Sequence, residues 1–453
     1  MMIPTTSGRI AQAVSGTLKG SAEREVTSVF TDSREYREKG LFVAIKGDKV
    51  DGHSFVKEML SKGCICLVSN EYYFTDGTIL VKDTKRAVYD LADFYRNELI
   101  PDVKITAVTG SVGKTTVKDM TGLAVSARYN TYITSGNKNS LIGVPLSVLS
   151  IDTTHTHAVL EVGMSEKGEI KRLSDLIKPC LSIITNIGSS HLQAMGSRKN
   201  LRKEKLDIIS GMRGDTPDGV ILDGDSEYEF SLKGTLKCRT IYCGTDNKDC
   251  DFRAENILAA DGKTSYDAVW ENNRQKIVIP AEGRHNVKNS LYAFAAGILF
   301  GVSPDEASKA LQKFTPTGDR QRIYVKDGIT VIADCYNASP ESMKAAFEVL
   351  GSKAGRKIAV LGDMLELGEK EREFHTENAL SASRKADIII FVGSFARLCK
   401  EALPGRENIY AFETEEKPKA AKLLKSLLKA GDTVLFKGSR RIQIDDIIKE
   451  TAL

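Results

Sequence analysis

VTGSVGKTTVKDM, residues 108–120, is close to the phosphate-binding pattern G-x-x-x-x-G-K-[ST] and departs from it at one place. Gly113, Lys114 and Thr115 match its end, but the first glycine would fall where the chain has Val108. The flanking residues decide the reading. VKITAV (103–108) is an apolar run of strand type, TGSVG is a turn, and KTTVKDMTGLAVSARY (114–129) has the character of a helix. A strand that runs into a glycine-rich turn and then a helix is the setting a phosphate loop requires. The free N–H groups and partial positive charge at a helix start favour an anion. Gly110 supplies the tight turn, and Ser111, Val112, Gly113 and Thr116 complete the segment. Lys114 is suited to the β- and γ-phosphates, and the Thr115 hydroxyl to Mg²⁺. The plain alternative is a glycine-rich turn with an exposed lysine. Alone, the loop indicates a nucleotide and no more.

Outward from the loop the chain divides by pattern. Residues 1–100 alternate short strand-like runs with turns: VTSVF (26–30), LFVAI (41–45), CICLVS (64–69) and TILV (78–81), followed by a helical stretch at 84–98. Pro101 marks a break. Residues 101–314 hold the loop and the strand-like HAVLEVG (157–163) and LSIITNIG (181–188), and close on an alanine-rich helix after Pro280. Residues 315–453 follow the turn TPTG, with strands expected at 329–333, 357–361, 387–392 and 432–436 and helices between them. Such alternation predicts an α/β chain with mainly parallel sheets in the second and third blocks. A length of 453 residues fits roughly three domains of about 150.

Bulk properties exclude several classes. A net charge of +4, with no run of five like charges, points away from nucleic acid and from membrane surfaces. The apolar run LYAFAAGILFGV (291–302) is too short to span a bilayer and suits a buried helix. The start MMIPTTSGRI has neither the basic end nor the apolar centre of a signal peptide. Eight scattered cysteines without a C-x-x-C suit reduced thiols and a cytoplasmic protein.

A second group of residues narrows the chemistry. LEVGMSEKGEI (160–170) puts Glu161 at the end of a buried-type strand, and ITNIGSSH (184–191) puts His191 just past another. A carboxylate at the C-terminal end of a strand beside a phosphate loop is where a Mg²⁺ ligand is expected. A capping or surface carboxylate is the competing reading of Glu161. For His191 a hydrogen-bonded loop residue competes on equal terms, since Mg²⁺ prefers oxygen.

TGSVGKTT, GNKNSLIGVPL (136–146), EVGMSEKGEI, TNIGSSHLQAMGS (185–197), GRHNVKNSLYA (283–293), TGDRQR (317–322), ADCYNASPESM (333–343) and KGSR (437–440) occur in one order along the chain. In this order they resemble the Mur ligase family of peptidoglycan synthesis, and the resemblance covers nearly the whole chain. It makes T-G-x-x-G-K-T-T the family's own form of the loop, with Val108 in the strand. It implies three domains: a small N-terminal α/β domain for a uridine diphosphate substrate, a central parallel-sheet P-loop ATPase domain, and a C-terminal Rossmann-like domain. The implied reaction joins a carboxylate to an amine with ATP, through an acyl phosphate. YNASPESM and the opening TDSREYREKGLFVAIKGDKVDGHSF (31–55) are similar to the branch that takes UDP-N-acetylmuramoyl-tripeptide and D-alanyl-D-alanine. Folylpolyglutamate synthesis, another Mur step and a non-ligase ATPase are the rival readings. The 31–55 segment speaks against the first, and the last leaves Glu161, His191 and Lys205 without work.

The resemblance also assigns residues. Lys114 and Thr115 hold phosphates and a first Mg²⁺ with Glu161; His191 matches a ligand of a second. Lys205, in KEKLDIISGM (203–212), falls at the family's carbamylated lysine. A carbamate is a hard anionic ligand, whereas an ammonium would repel the metal. A solvated lysine on a charged helix face is the alternative, and Lys203 lies only two residues away. Asn286 and Asn289 match adenine-side asparagines, although asparagine is also common at helix starts. Arg320 matches an arginine on the ATP phosphates, and Asp334 and Asn337 resemble ribose- or adenine-side groups, with a loop cap as the equal alternative for Asp334. Ser33, Arg34, Lys46 and Gly47 fall in the uridine diphosphate segment, and Asn137 and Asn139 in a substrate loop. Ser140 stands where the family has a second asparagine. His53 reads as structural. The resemblance implies small-molecule partners, no nucleic acid, no membrane insertion and a monomer.

Overall fold

The computed structural model describes residues 2–260 and 262–453. The chain packs as two compact units: one of Met1–Thr109, Val125–Ile183 and Leu206–Val220, the other of Gly110–Ala124, Ile184–Lys205 and Ile221–Leu453.

In the first unit a five-stranded sheet runs in the order Thr17–Lys19, Thr78–Leu80, Ile65–Val68, Gly40–Val43, Ser28–Phe30. It is parallel except for the Thr17–Lys19 edge. The same unit holds most of three further strands. Lys104–Thr109 (β1), His157–Glu161 (β2) and Leu181–Ile184 (β3) lie in the order β3, β1, β2, with Thr131–Ile133 beyond β2. β1 and β2 pair in parallel with Glu161 opposite Val108. Only Lys104 among the residues of β1, β2 and β3 is exposed, which is the pattern of parallel strands covered on both faces. The helix Thr84–Phe94 starts on Asp83, whose carboxylate accepts from the Lys85 and Arg86 amides. It continues into a wider turn, Tyr95–Leu99. There the buried Arg96 guanidinium donates to the carbonyls of Ile177, Ile100 and Pro101 at 2.9, 2.5 and 2.9 Å.

The second unit carries the helices that bear the site: Lys114–Ser126 (α1), which begins in it, Arg198–Leu206 (α2) and Arg284–Leu299 (α3). As expected from its apolar run, α3 is buried from Leu291 to Gly297. A six-stranded sheet runs Arg322–Lys326, Ile329–Asp334, Thr433–Lys437, Lys357–Gly362, Ile388–Val392, Ile409–Phe412. It is parallel except for the Arg322–Lys326 edge. Alternate residues feed two apolar layers: Ile332, Leu435, Ala359 and Ile389 on one face, Val331, Val434, Ile358 and Ile388 on the other. The strands expected from sequence in this block end within one residue of those observed.

One part of the second block departs from the parallel expectation. Phe252–Ala260, Lys263–Trp270 and Asn273–Ile279 form an antiparallel meander. The signal was present: Thr264, Tyr266, Ala268 and Trp270 are the buried alternate residues of KTSYDAVW, and Asp-Gly at 261–262 is a hairpin dipeptide.

Candidate functional site

The loop after β1 is built by glycines and braced from the segment after β3. Gly110 has φ +147° and Gly113 has φ +85°, a region that side chains with a Cβ avoid. A Cβ on Gly110 would lie 1.9 Å from Thr185 Oγ1, so only glycine lets the backbone approach this closely. Asn186 holds the turn with three bonds: its carbonyl accepts from Ser111 N, its Oδ1 from Val112 N, and its Nδ2 donates to Val112 O. Thr185 Oγ1 donates to the same carbonyl at 2.5 Å, and Ser111 Oγ accepts from Gly188 N at 2.9 Å. Lys114, at the first position of α1, turns its ammonium onto the carbonyls of Gly110 and Ser111, at 2.8 and 3.2 Å. Sequence reasoning missed Thr185 and Asn186 as bracing residues; their one signal was their place just past an apolar strand. The loop is a rigid cradle of backbone N–H groups at a helix start, the chemistry of an anion site.

In the first unit Glu161 is 1% exposed, which removes the surface-carboxylate reading, and its Oε1 accepts from Asn139 Nδ2 at 2.6 Å. Asn139 N donates to Asn137 O at 2.7 Å, and Gly163 N donates to Asn139 O. The loop 136–140 is thereby tied to the carboxylate. Ser140 caps the following turn, its Oγ accepting from Gly143 N. Lys138 reaches Glu35 at 3.9 Å and links this loop to the turn Ser33–Glu35. Arg34 is exposed and paired with Asp32. Lys46 bridges to Asp51, and Gly47 N donates to Val50 O. His53 is buried between Asp51 and the Ser69 amide, in keeping with a structural role.

His191 and Lys205 belong to the second unit. His191 has φ +63°, and its Nδ1 faces Glu366 Oε2 at 2.9 Å. Burial, with the nearby Lys114 charge, pushes its imidazole below the usual histidine range. On α2, Lys203 is exposed and Lys205 is buried. Lys205 forms no ion pair among the described residues. Burial, then the Lys114 charge, lowers its pKa well below the ordinary lysine value. A solvated lysine is therefore not what Lys205 is.

Asn286 and Asn289 sit within the first two turns of α3 without capping it; the cap position is Gly283. Asn289 Nδ2 donates to Asn286 Oδ1 at 3.3 Å, and a Cβ on Gly113 would lie 3.0 Å from Asn289 Oδ1. Arg320 lies over the Tyr336 ring at 3.5 Å and donates to Thr317 O. Asp334 accepts from the buried Lys437 at 2.6 Å, and Lys437 also donates to Asn337 O. Thr317 donates to Asp119 of α1 at 2.5 Å, and Ser189 Oγ donates to Glu341 at 2.9 Å. A cleft of about 190 Å³ is lined by His191, Asn337, Ser339, Glu366, Ser439 and Arg440, among others. Sequence reading had not singled out Glu366, Glu341 or Arg440. Each is an ordinary charged residue in the sequence, and only the fold turns it toward the site.

Residues 108–297 match the Mur ligase middle domain, and residues 319–440 match the Mur ligase, glutamate ligase domain. The UDP-N-acetylmuramoyl-tripeptide–D-alanyl-D-alanine ligase of Bacillus subtilis is 37% identical over 99% of this chain and 98% of its own. The chain belongs to the Mur ligase family. Its three-domain α/β architecture is that of the family's solved structures. MurF from Acinetobacter baumannii superposes with a TM-score of 0.90 at 29% identity, covering 99% of both chains. MurF ligase from Thermotoga maritima, in complex with ADP, superposes at 0.81 with 26% identity, covering 94% of this chain and 97% of that one. Val108 belongs to β1, so the glycine-rich turn begins after it, at Gly110.

The residues also fit the groups such a ligase handles. The turn shaped by Gly110 and Gly113 ends at the start of α1, where a helix N-terminus favours an anion. Among the described residues no group of three His, Cys, Asp or Glu could hold a metal by itself. Mg²⁺ commonly binds through one or two protein oxygens together with substrate phosphates, so the absence of a ready-made cluster is the ordinary condition of a nucleotide-borne ion.

Proposed function

We propose that this protein is an ATP-dependent ligase that joins the amine of D-alanyl-D-alanine to UDP-N-acetylmuramoyl-tripeptide, giving the UDP-muramoyl-pentapeptide of peptidoglycan synthesis. The full-length 37% identity to the B. subtilis ligase carries this reading, and the braced loop supports it. A carboxylate resists attack because it is anionic and lacks a leaving group; ATP supplies the phosphoryl group that turns it into an acyl phosphate. Mg²⁺, when bound, offsets phosphate charge. The chain's own residues align the reactants and balance charge, which is most of what phosphoryl transfer asks of a protein. Lys114 exchanges its two loop carbonyls for β- and γ-phosphate oxygens, with Gly110, Ser111, Val112, Gly113 and Thr116 shaping the loop around them. Thr115 and Glu161 supply oxygens to the first Mg²⁺. Asn286, Asn289, Asp334 and Asn337 take the adenine and ribose side, and Arg320 the phosphates. Ser33, Arg34, Lys46, Gly47, Asn137 and Asn139 take the uridine diphosphate substrate.

Lys205 is assigned a carbamate. Its burial favours the neutral amine. That form attacks CO₂: the N–C bond forms, the amine loses a proton, and an anion with two oxygens results. His191, held by Glu366 and kept neutral by burial, would join it on a second Mg²⁺. We place the enzyme in the cytoplasm as a monomer, with domains 1–100, 101–314 and 315–453. No helix among the described residues is long and apolar enough to cross a membrane. The reading is tested by phosphate release from ATP, expected only when UDP-N-acetylmuramoyl-tripeptide and D-alanyl-D-alanine are both present. Release with neither, or with a folate and glutamate instead, would sink it.

A further inference from the structure

Gln321 lies between the helix Pro304–Leu311 and the strand Arg322–Lys326, and nothing in the reaction above gives it a task. Yet its φ is +52°, a conformation that a non-glycine residue keeps only where its surroundings impose it. Every hydrogen-bonding group of its side chain is used. Oε1 accepts from His285 Nε2 at 2.7 Å and from Asn286 Nδ2 at 2.8 Å. Nε2 donates to Glu282 O at 3.0 Å. The main-chain N–H donates to Asp334 Oδ1 at 3.2 Å. Donors on one side and a carbonyl on the other fix which way the amide faces.

These contacts make Gln321 the middle of a longer chain. On one side Asn286 accepts from Asn289, whose amide lies against Gly113 of the loop. On the other, the second oxygen of Asp334 takes the buried Lys437, which also donates to Asn337 O. The side chain of Gln321 answers to α3 and its main chain to Asp334. With both ends of the Gln321 amide bonded and its N–H on Asp334, a shift of Asn286 is felt at Gln321 and, through it, at Asp334.

We propose that Gln321 is a positioning residue that couples the asparagines beside the phosphate loop to Asp334, so that a nucleotide held by one sets the other. This rests on the reading of Asn286 and Asp334 as nucleotide contacts. Two sites that share one hydrogen-bonded intermediary respond non-additively when both are changed.

The test is ADP affinity by calorimetry for Asn286→Ala, Asp334→Ala and the double variant, in the native background and with Gln321→Ala. Thermal unfolding verifies that each variant folds, and Asp334→Asn replaces Asp334→Ala if the latter does not. With Gln321 present, the two changes should depart from additivity by about fivefold or more. With Gln321→Ala they should be additive to within about twofold. Equal coupling in both backgrounds, or additivity in both, overturns the relay. If either single change leaves ADP affinity as it was, the nucleotide assignment itself fails, and the relay falls with it.

Discussion

Two buried cations, one in each unit, show opposite ways of living inside a protein. Arg96 is 2% exposed and Lys205 is 1% exposed. Arg96 donates to three main-chain carbonyls, through Nε and both hydrogens of Nη1, although no carboxylate is bonded to it. Burial lowers its pKa to about 10, which leaves the guanidinium charged near neutral pH. It works as a clamp, tying the end of one helix to the carbonyls of Ile177, Ile100 and Pro101. Lys205 has neither carbonyl nor carboxylate bonded to its ammonium among the described residues, and the Lys114 charge adds to the cost of burial. A buried cation bonded to carbonyls serves structure. One without such bonds is shifted toward its neutral, reactive form, the condition that marks candidate functional groups.

The largest effect that would break this contrast is at Lys205. Lys205→Ala should lower ligation by more than about 10²-fold, while thermal unfolding shows the fold unharmed. Formate or acetate should return part of the rate by filling the gap with a carboxylate. Full activity in the variant would mean that the lysine is buried without being used. Lys114 stands between the two cases, since its bonds are made but go to carbonyls that a phosphate can replace. Lys114→Ala should cost on the order of 10²-fold in steady-state rate and leave the midpoint of unfolding near that of the native chain. Near-normal turnover would remove the phosphate-loop reading.

Arg96→Met should reverse the pattern. It leaves the carbonyls of Ile177 and Pro101 without the donor they have here and Ile100 with only the Val103 amide, and about 2–4 kcal/mol of stability should be lost. The specific rate of the folded fraction should stay unchanged. Urea unfolding gives the first and active-site titration the second; a stable but inactive variant would put Arg96 among the functional groups. The smallest effect is expected at Lys203, which is exposed on the helix that buries Lys205. Lys203→Ala should change stability by less than about 0.5 kcal/mol and leave the rate as it was. A large loss there would show that the modified lysine has been assigned one turn face away from its true place.

The glycine-rich loop, the strand–turn–helix around it and the four expected parallel strands of the last block were legible because each is a local pattern. Apolar runs such as KITAVT mark strands buried on both faces, and Gly110 and Gly113 mark backbone that nothing else could adopt. Burial separated Lys205 from Lys203, a choice that RKEK (202–205) could not settle, since both are lysines on one polar stretch. The antiparallel meander at 252–279 carried a fainter mark, because Phe252–Ala260 is largely half-buried or exposed and its alternation is weak.

By itself the sequence determined what is local or ordered along the chain: the loop's chemistry, the strands that precede and follow it, and a run of motifs that marks the family. Tertiary structure alone decided which distant groups meet. Thr185 and Asn186 close the loop from more than 70 positions away, Glu366 faces His191, and Gln321 lies between Asn286 and Asp334. The reason is physical. Backbone preference and apolar spacing act over a few residues and leave their mark in the residues themselves. A hydrogen bond between segments far apart depends on where packing brings two ordinary side chains, and neither carries a sign of its partner.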